Sequence, residues 1–215
     1  KVAWQHFSEA MKKIKPSVQI VAQQWPKLGE ADYTPFINAQ LAKKPEAVFS
    51  SLWGGHFVTF CKQAKPLGYF DAIKYNMMAV AEAGSPESTK AMGADYPVGI
   101  WANTYDAFYW AETPAHRDYT ARLAKFTKDE YPSSWAIQGY TGMQFLAEAI
   151  KKAGSTESDK VSKALLGLTI DTPAGKQTIR EKDHQADRGQ LYGKTVMDPK
   201  YPFPILKPVQ YVDPT

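Results

Sequence analysis

A tryptophan followed by two glycines and a histidine, Trp53-Gly54-Gly55-His56, stands where the apolar run AVFSSL (47–52) meets an amphipathic helical pattern. In open parallel sheets, ligands lie beyond the carboxyl ends of the strands, where backbone amides and helix N-termini converge. At such a junction Trp53 offers a flat apolar wall, and Gly54 and Gly55 remove side-chain bulk so that a ligand can approach the backbone. The competing reading makes Trp53 a core residue beside a tight turn. His56 either donates to a ligand or caps the helix start. A second group of aromatics, Tyr105, Phe108, Tyr109 and Trp110, follows the fourth strand pattern. Aromatic side chains bury large area at low rotamer cost, which suits both packing and a ligand wall, with Tyr105 nearest a cleft.

This is the chemistry of capture rather than of bond making. The chain has no G-x-S-x-G elbow, no H-E-x-x-H and no phosphate-cradling G-x-x-x-x-G-K. Its four histidines, His6, His56, His116 and His184, are far apart without paired metal-ligand spacing. His184, in DHQADRG, is expected to brace the last β segments. A single cysteine forms no disulfide within the chain and no zinc site by itself. The spacing of Cys61 with Phe57, Ala64 and Leu67 puts it on an apolar helix face as buried filler. Neither metal nor cofactor is expected. The net charge of +4 comes from 26 basic and 22 acidic residues interspersed along the chain, whereas a nucleic-acid groove needs them clustered. Lys12, Lys13, Lys15, Lys151 and Lys152 fall at helix ends, where cations meet the negative end of the dipole. No run approaches ~18 consecutive apolar residues, and the first residues are amphipathic rather than leader-like, which leaves the compartment open.

The elements that must position these residues alternate between helix and strand up to about residue 103. Val2, Phe7, Ala10, Met11 and Ile14 repeat at helical spacing and stop before Pro16, and VQIVAQQW (18–25) reads as a strand. A helix over 34–44, with Thr34 as N-cap and Pro35 at its first position, precedes the strand 47–52. Next come a helix from about 55 to 67, a strand over 73–79, a short helix begun by Ser85-Pro86 and ended by Gly93, and a strand over 98–103. Four strands separated by helices predict a parallel sheet. Beyond 104 the spacing predicts a helix over 116–131 with Tyr119, Leu123 and Phe126 on one face. A second helix over 133–154 is apolar nearly all round, capped by Ser133 or Ser134 and stopped by Gly154. A third, capped within 155–158, runs to Leu166. Short β segments follow: LTID, GKQTIR, GQLYGKTVM and ILKPVQYV.

The runs PEAVFSSLWGGHFVTFCKQAKPLGYF, YTGMQFLAEAIKKAGSTESDKVSKALLGLTIDTPAGKQTIREKDHQADRGQLYG and DPKYPFPILKPVQYV carry a specific likeness. They resemble the C-terminal part of type I periplasmic solute-binding proteins, in the branched-chain amino acid and amide receptor branch of ABC importers. The resemblance implies an α/β fold with a parallel sheet flanked by helices and two lobes joined by crossover strands, the first lobe incomplete. It assigns residues 1–106 to most of lobe two, 107–166 to returning helices of lobe one, and 167–215 to terminal β segments and a hinge-crossing tail. The expected function is capture of a small amino-acid-like, amide or aromatic-acid ligand between the lobes, for delivery to ABC permease subunits. A ligand-sensing receptor or regulator of the same fold is the alternative. The implied location is periplasmic, or extracellular and membrane-associated in organisms without a periplasm. An aromatic residue at the position of Trp53 packs on the ligand in such proteins. Resemblance to amino acid receptors also places a carboxylate in AVAEAG (79–84), paired with the ligand's ammonium group, and Glu82 is the only acid there. A buried charge is costly unless paired, so Glu82 in a cleft implies a cationic ligand group or an internal base. The other reading is an exposed loop glutamate. A sheet lacking its first strand exposes backbone edges. The N-terminal part of the same protein, or a second copy, is therefore expected to complete it.

Overall fold

The computed structural model describes residues 1–78, 83–110 and 113–213, and the chain divides into two units. Unit 1 comprises Lys1–Thr104 and Tyr192–Gln210, and unit 2 comprises Tyr105–Leu191 and Tyr211–Thr215. In unit 1 the order is α1 (Val2–Ile14), α2 (Thr34–Ala42), β1 (Ala47–Phe49), α3 (Gly54–Ala64), α4 (Tyr69–Ala72), β2 (Tyr75–Met78), α5 (Pro86–Met92) and β3 (Trp101–Thr104). Unit 2 continues with α6 (Pro114–Thr127), α7 (Ala136–Ala153), α8 (Ser158–Leu165), β4 (Thr169–Thr172) and β5 (Gly175–Thr178). The strands β6 (Gln190–Val196) and β8 (Gln210–Val212) each run across a unit boundary, and β7 (Ile205–Leu206) lies between them in the chain.

The expected parallel α/β sheet is present. Ala47 stands opposite Tyr75 and Met77 opposite Trp101, both pairs parallel, in the order β1-β2-β3-β6-β7. The helices between these strands supply the long return path that parallel pairing demands. Strand β7 is antiparallel to β6, with Thr195 opposite Leu206, and β8 also pairs with β6.

The core of unit 1 gathers on α2, α3 and α4. Ile37, Phe57, Phe60, Cys61, Ala64, Tyr69 and Ile73 are all buried, as the apolar face of 55–67 predicts. Leu67 differs and is exposed, because α3 ends at Ala64 and Pro66 converts the continuation into a 3-10 turn, Lys65–Leu67. Tyr33, not Thr34, is the N-cap residue of α2, and Pro35 falls at its second helical position. Ser85 does cap α5, accepting from the Ser88 amide at 3.3 Å. Helix α1 lays Phe7 flat on Phe49 at 3.9 Å between centroids, but Val2 and Ile14 of its stripe stay exposed.

Residues 18–25 form no strand, contrary to expectation, and Ile20, Val21 and Trp25 are exposed. Pattern makes a segment fit a pleated surface, but a strand needs a neighbouring ladder for its amides. Among the described residues none is offered to it. The segment 98–100 also falls short of regular strand, since Gly99 adopts φ of +81° and the β3 ladder begins at Trp101.

In unit 2 the expected helices are present with shifted ends. Helix α6 starts earlier because Thr113-Pro114 is itself a start signal, and it stops at Lys128, which takes a left-handed φ. Tyr119 is buried, but Phe126 is 86% exposed, so the predicted apolar face is not closed. Helix α7 ends at Gly154 as its sequence implies, while its N-cap position falls on Trp135 with no side-chain cap, and Ser133 Oγ accepts from the Trp135 amide at 3.2 Å. Ala149 packs with Val161 and Ala164 of α8. Strands β4 and β5 form an antiparallel hairpin, with Thr169 opposite Thr178.

A buried acid–histidine pair ties the chain after β3 to the start of α6. Thr113 accepts from the His116 amide at 3.1 Å, and His116 Nε2 lies 2.7 Å from Oδ1 of Asp106. His116 is only 1% exposed, and Trp110 packs on its ring at 5.6 Å. Removing one partner of such a pair strands the other away from water. Asp106→Ala is therefore expected to lower stability by about 3 kcal/mol in denaturant unfolding, and an unchanged midpoint would show that the pair contributes nothing. Burial also pushes the Cys61 thiol far above its ordinary range. Cys61 should stay inert to a thiol reagent in the native protein and react fully once denaturant is added; rapid native labelling would refute the packing described for α3.

Candidate functional site

The start of α3 is built by its own sequence. Trp53 is the N-cap residue with extended backbone (φ −143°, ψ 161°), and no side chain caps the helix. The next residue, Gly54, adopts φ of +54°, a left-handed conformation that glycine takes without strain. A Cβ placed on Gly54 or Gly55 would meet no atom within 4 Å, so the space in front of both glycines is open. Trp53 itself is 57% exposed, which removes the core alternative and leaves its ring open to solvent on the residue next to those glycines.

His56 does not cap the helix. Its Nδ1 lies 3.1 Å from the hydroxyl of Tyr33, and the imidazole is half-buried. Tyr33, absent from the expectations, is 1% exposed and held from three sides. Its amide donates to Gln63 Oε1 at 2.6 Å, Gln63 Nε2 donates to the Ala31 carbonyl at 2.9 Å, and its ring meets Phe60 edge-on at 5.8 Å. Burial, and secondarily the nearby Glu30 carboxylate, raises the Tyr33 phenol above its ordinary range and keeps it protonated. Tyr33 and His56 are 23 positions apart in the chain, and no spacing rule links them.

Of the other expected residues, Glu82 lies outside the described residues. Tyr105 belongs to unit 2, where its ring packs on Trp135 at 5.1 Å and its carbonyl accepts from Arg188 Nη2. Phe108 packs on Tyr109 and Tyr131, so this aromatic run is at least partly structural. The His184 side chain does not brace the last β segments: it is exposed, with φ of +56°, and only its amide takes part, donating to the Arg180 carbonyl at 2.9 Å. That work falls to its neighbours. Arg180 pairs with Asp183 at 2.8 Å, and Asp187 accepts from the Thr178 amide of β5.

Unit 2 also holds a cavity of about 340 Å³ lined by Trp110, Thr113, His116, Lys176, Asp187 and Tyr211, among others. Near it, burial lowers the Arg188 guanidinium's pKa, an effect that Asp106 opposes. Among the described residues no group of three or more His, Cys, Asp or Glu side chains is arranged to hold a metal ion. No helix among them is long and apolar enough to cross a membrane.

Comparison with known proteins places this geometry in a family. A family model described as periplasmic binding protein matches residues 3–192. A substrate-binding protein of an amino acid ABC transporter from Pseudomonas fluorescens is similar over 98% of this chain and 56% of its own, with TM-score 0.78 and 18% identity. A solute-binding protein of an ABC transporter from Rhodopseudomonas palustris, solved with p-hydroxybenzoic acid, matches 96% of this chain and 56% of its own, with TM-score 0.79 and 16% identity. A leucine-, isoleucine-, valine-, threonine- and alanine-binding protein from Brucella ovis matches 96% and 54%, with TM-score 0.71 and 18% identity. A limonene hydroxylase of Geobacillus stearothermophilus is 29% identical over 112 residues, 51% of this chain and 20% of that protein. The chain thus spans about half the length of the solved structures it matches. With the family model covering most of its residues, the chain belongs to the periplasmic binding protein family.

Proposed function

We propose that this chain is the larger part of a solute-binding component of an ABC importer, which captures a small carboxylate with an apolar or aromatic body and presents it to membrane permease subunits from the periplasmic side. The observation that carries the reading is the exposed Trp53 ring on the residue next to Gly54 and Gly55, which have open space before them. A tryptophan more than half exposed at the start of a rigid helix is a ready surface for a ligand's apolar face. Family membership supports binding rather than catalysis, and one relative named for binding leucine and other amino acids and another solved with p-hydroxybenzoic acid support the ligand class. His56 contributes at the same helix start. Glu82 is proposed to pair with the ammonium group of an amino acid ligand, and Tyr105 as a further ligand contact.

On this reading unit 1 corresponds to most of lobe two and unit 2 to the later part of lobe one. Strand β1 pairs with β2 and with no other strand among the described residues, and 18–25 keeps a strand pattern without a ladder. An additional strand from a preceding segment of the same protein, laid along β1, would supply the pairing both lack. A second copy of the chain is the competing source.

Calorimetry on the full-length protein tests the site. Trp53→Ala should weaken binding of benzoate or leucine by ~1–3 kcal/mol, roughly fivefold to 150-fold, and an unchanged affinity for both would remove Trp53 from the site. Glu82→Gln should abolish leucine binding while sparing benzoate; equal loss of both would show that Glu82 does not read an ammonium group.

A further inference from the structure

We infer that Tyr33 is a positioning residue that holds the His56 imidazole in one tautomer, leaving Nε2–H as the donor offered to an oxygen of the bound ligand. The inference rests on the reading that the ligand docks at the start of α3, and it adds what that site demands of the ligand's polar end.

The Tyr33 hydroxyl sits on a residue that is 1% exposed, and its one partner among the described residues is His56 Nδ1, at 3.1 Å. A phenol has one hydrogen to donate. If Nδ1 carried the imidazole proton, the phenol oxygen would accept it and the phenol's own hydrogen would need another acceptor. No other protein acceptor is hydrogen-bonded to it among the described residues. A buried donor without an acceptor disfavours that arrangement by roughly tenfold or more. The satisfied arrangement has the phenol donating to Nδ1, and neutral imidazole then carries its hydrogen on Nε2. Tyr33 cannot easily turn away, because Gln63 holds its amide and Phe60 meets its ring. Nor does it give up its proton, since burial raises the phenol above its ordinary range.

His56 therefore presents a donor and no acceptor, three residues along the chain from the exposed ring of Trp53. The group that matches is an acceptor oxygen on an apolar, planar body, such as the carboxylate of an aromatic acid. A ligand bringing only an ammonium group to this point finds no partner.

The test uses full-length protein with ¹⁵N-labelled histidine, at about pH 8, where an ordinary imidazole is neutral. Without ligand, long-range ¹H–¹⁵N spectra should show His56 with Nδ1 bare and Nε2 protonated, and Tyr33→Phe should return it to a mixture. A wild-type His56 protonated on Nδ1, or already mixed, overturns the inference. Tyr33→Phe should weaken benzoate binding roughly threefold to tenfold. In the His56→Ala background the same change should cost nothing further, as expected for a residue acting through His56. Should Tyr33→Phe fail to fold, the wild-type tautomer and the effect of His56→Ala on benzoate still decide. If Trp53→Ala weakens benzoate binding while Tyr33→Phe and His56→Ala do not, this inference fails and the site reading stands. If none of the three changes benzoate affinity, or if wild-type protein binds no benzoate, the site reading or its ligand class fails first.

Discussion

The edge-on packing around Phe60 is the interaction on which the rest of unit 1 depends. Phe60 is buried and receives the rings of Tyr33 at 5.8 Å, Tyr69 at 5.3 Å and Phe70 at 6.4 Å, all within a degree of perpendicular. This geometry brings the positive ring edge to the negative face, adding about 0.5–1.5 kcal/mol per pair beyond the area buried. One side chain of α3 thereby locks the residue before α2 and the first two residues of α4. A polar seam runs beside it: the Tyr69 hydroxyl donates to Gln40, whose amide donates to Gln24 at 3.0 Å. Once Phe60 and Phe57 face inward, the first turn of α3 has little freedom. His56, four residues before Phe60, meets Tyr33, while Trp53, extended at the N-cap ahead of the left-handed Gly54, leaves the helical phase and stands outside.

A second constraint, strand pairing, decides how much of the sheet is realised. The runs at β1, β2 and β3 are short and apolar or β-branched, and each finds a parallel neighbour. VQIVAQQW has at least as strong a pattern and forms nothing regular. The difference does not lie in propensity. β-propensity measures fit to a half-buried pleated surface, and that surface exists only where an adjacent strand provides it. The same reasoning explains the uncovered apolar residues of α1, whose Phe7 reaches Phe49 while Val2 and Ile14 reach nothing that buries them.

Legibility in the sequence followed the same division. Local codes were readable: the Ser85-Pro86 start, the Gly154 stop, the buried face containing Phe57, Cys61 and Ala64, and the placement of Trp53-Gly54-Gly55 at a helix start. The special conformation of Gly54 was half legible, since glycine there suggested open space, while the left-handed backbone it also serves is a product of the turn. Long-range partners were not readable. Tyr33 with His56, and His116 with Asp106, join segments through tertiary packing that no periodicity encodes. Phe126 misled because helical spacing marks a face as apolar without saying whether anything covers it.

On the proposed reading, the division of labour at the start of α3 bears on selectivity. An apolar wall discriminates weakly, since one methylene more or less in a hydrophobic site is worth only ~1–3 kcal/mol. Trp53 therefore suits many flat or branched bodies alike. A fixed donor behaves differently, because a polar group built to be matched leaves an unpaired partner whenever the ligand fails to match it. A freely rotating histidine, able to switch tautomer, would accept either a donor or an acceptor at little cost. One clamped by a buried phenol loses that tolerance. The helix start and the clamp are already formed within unit 1, so ordering them adds little to the entropic cost of binding. On the proposed reading, breadth of ligand body comes from the exposed tryptophan, and strictness about the polar end comes from a tyrosine that the ligand never touches.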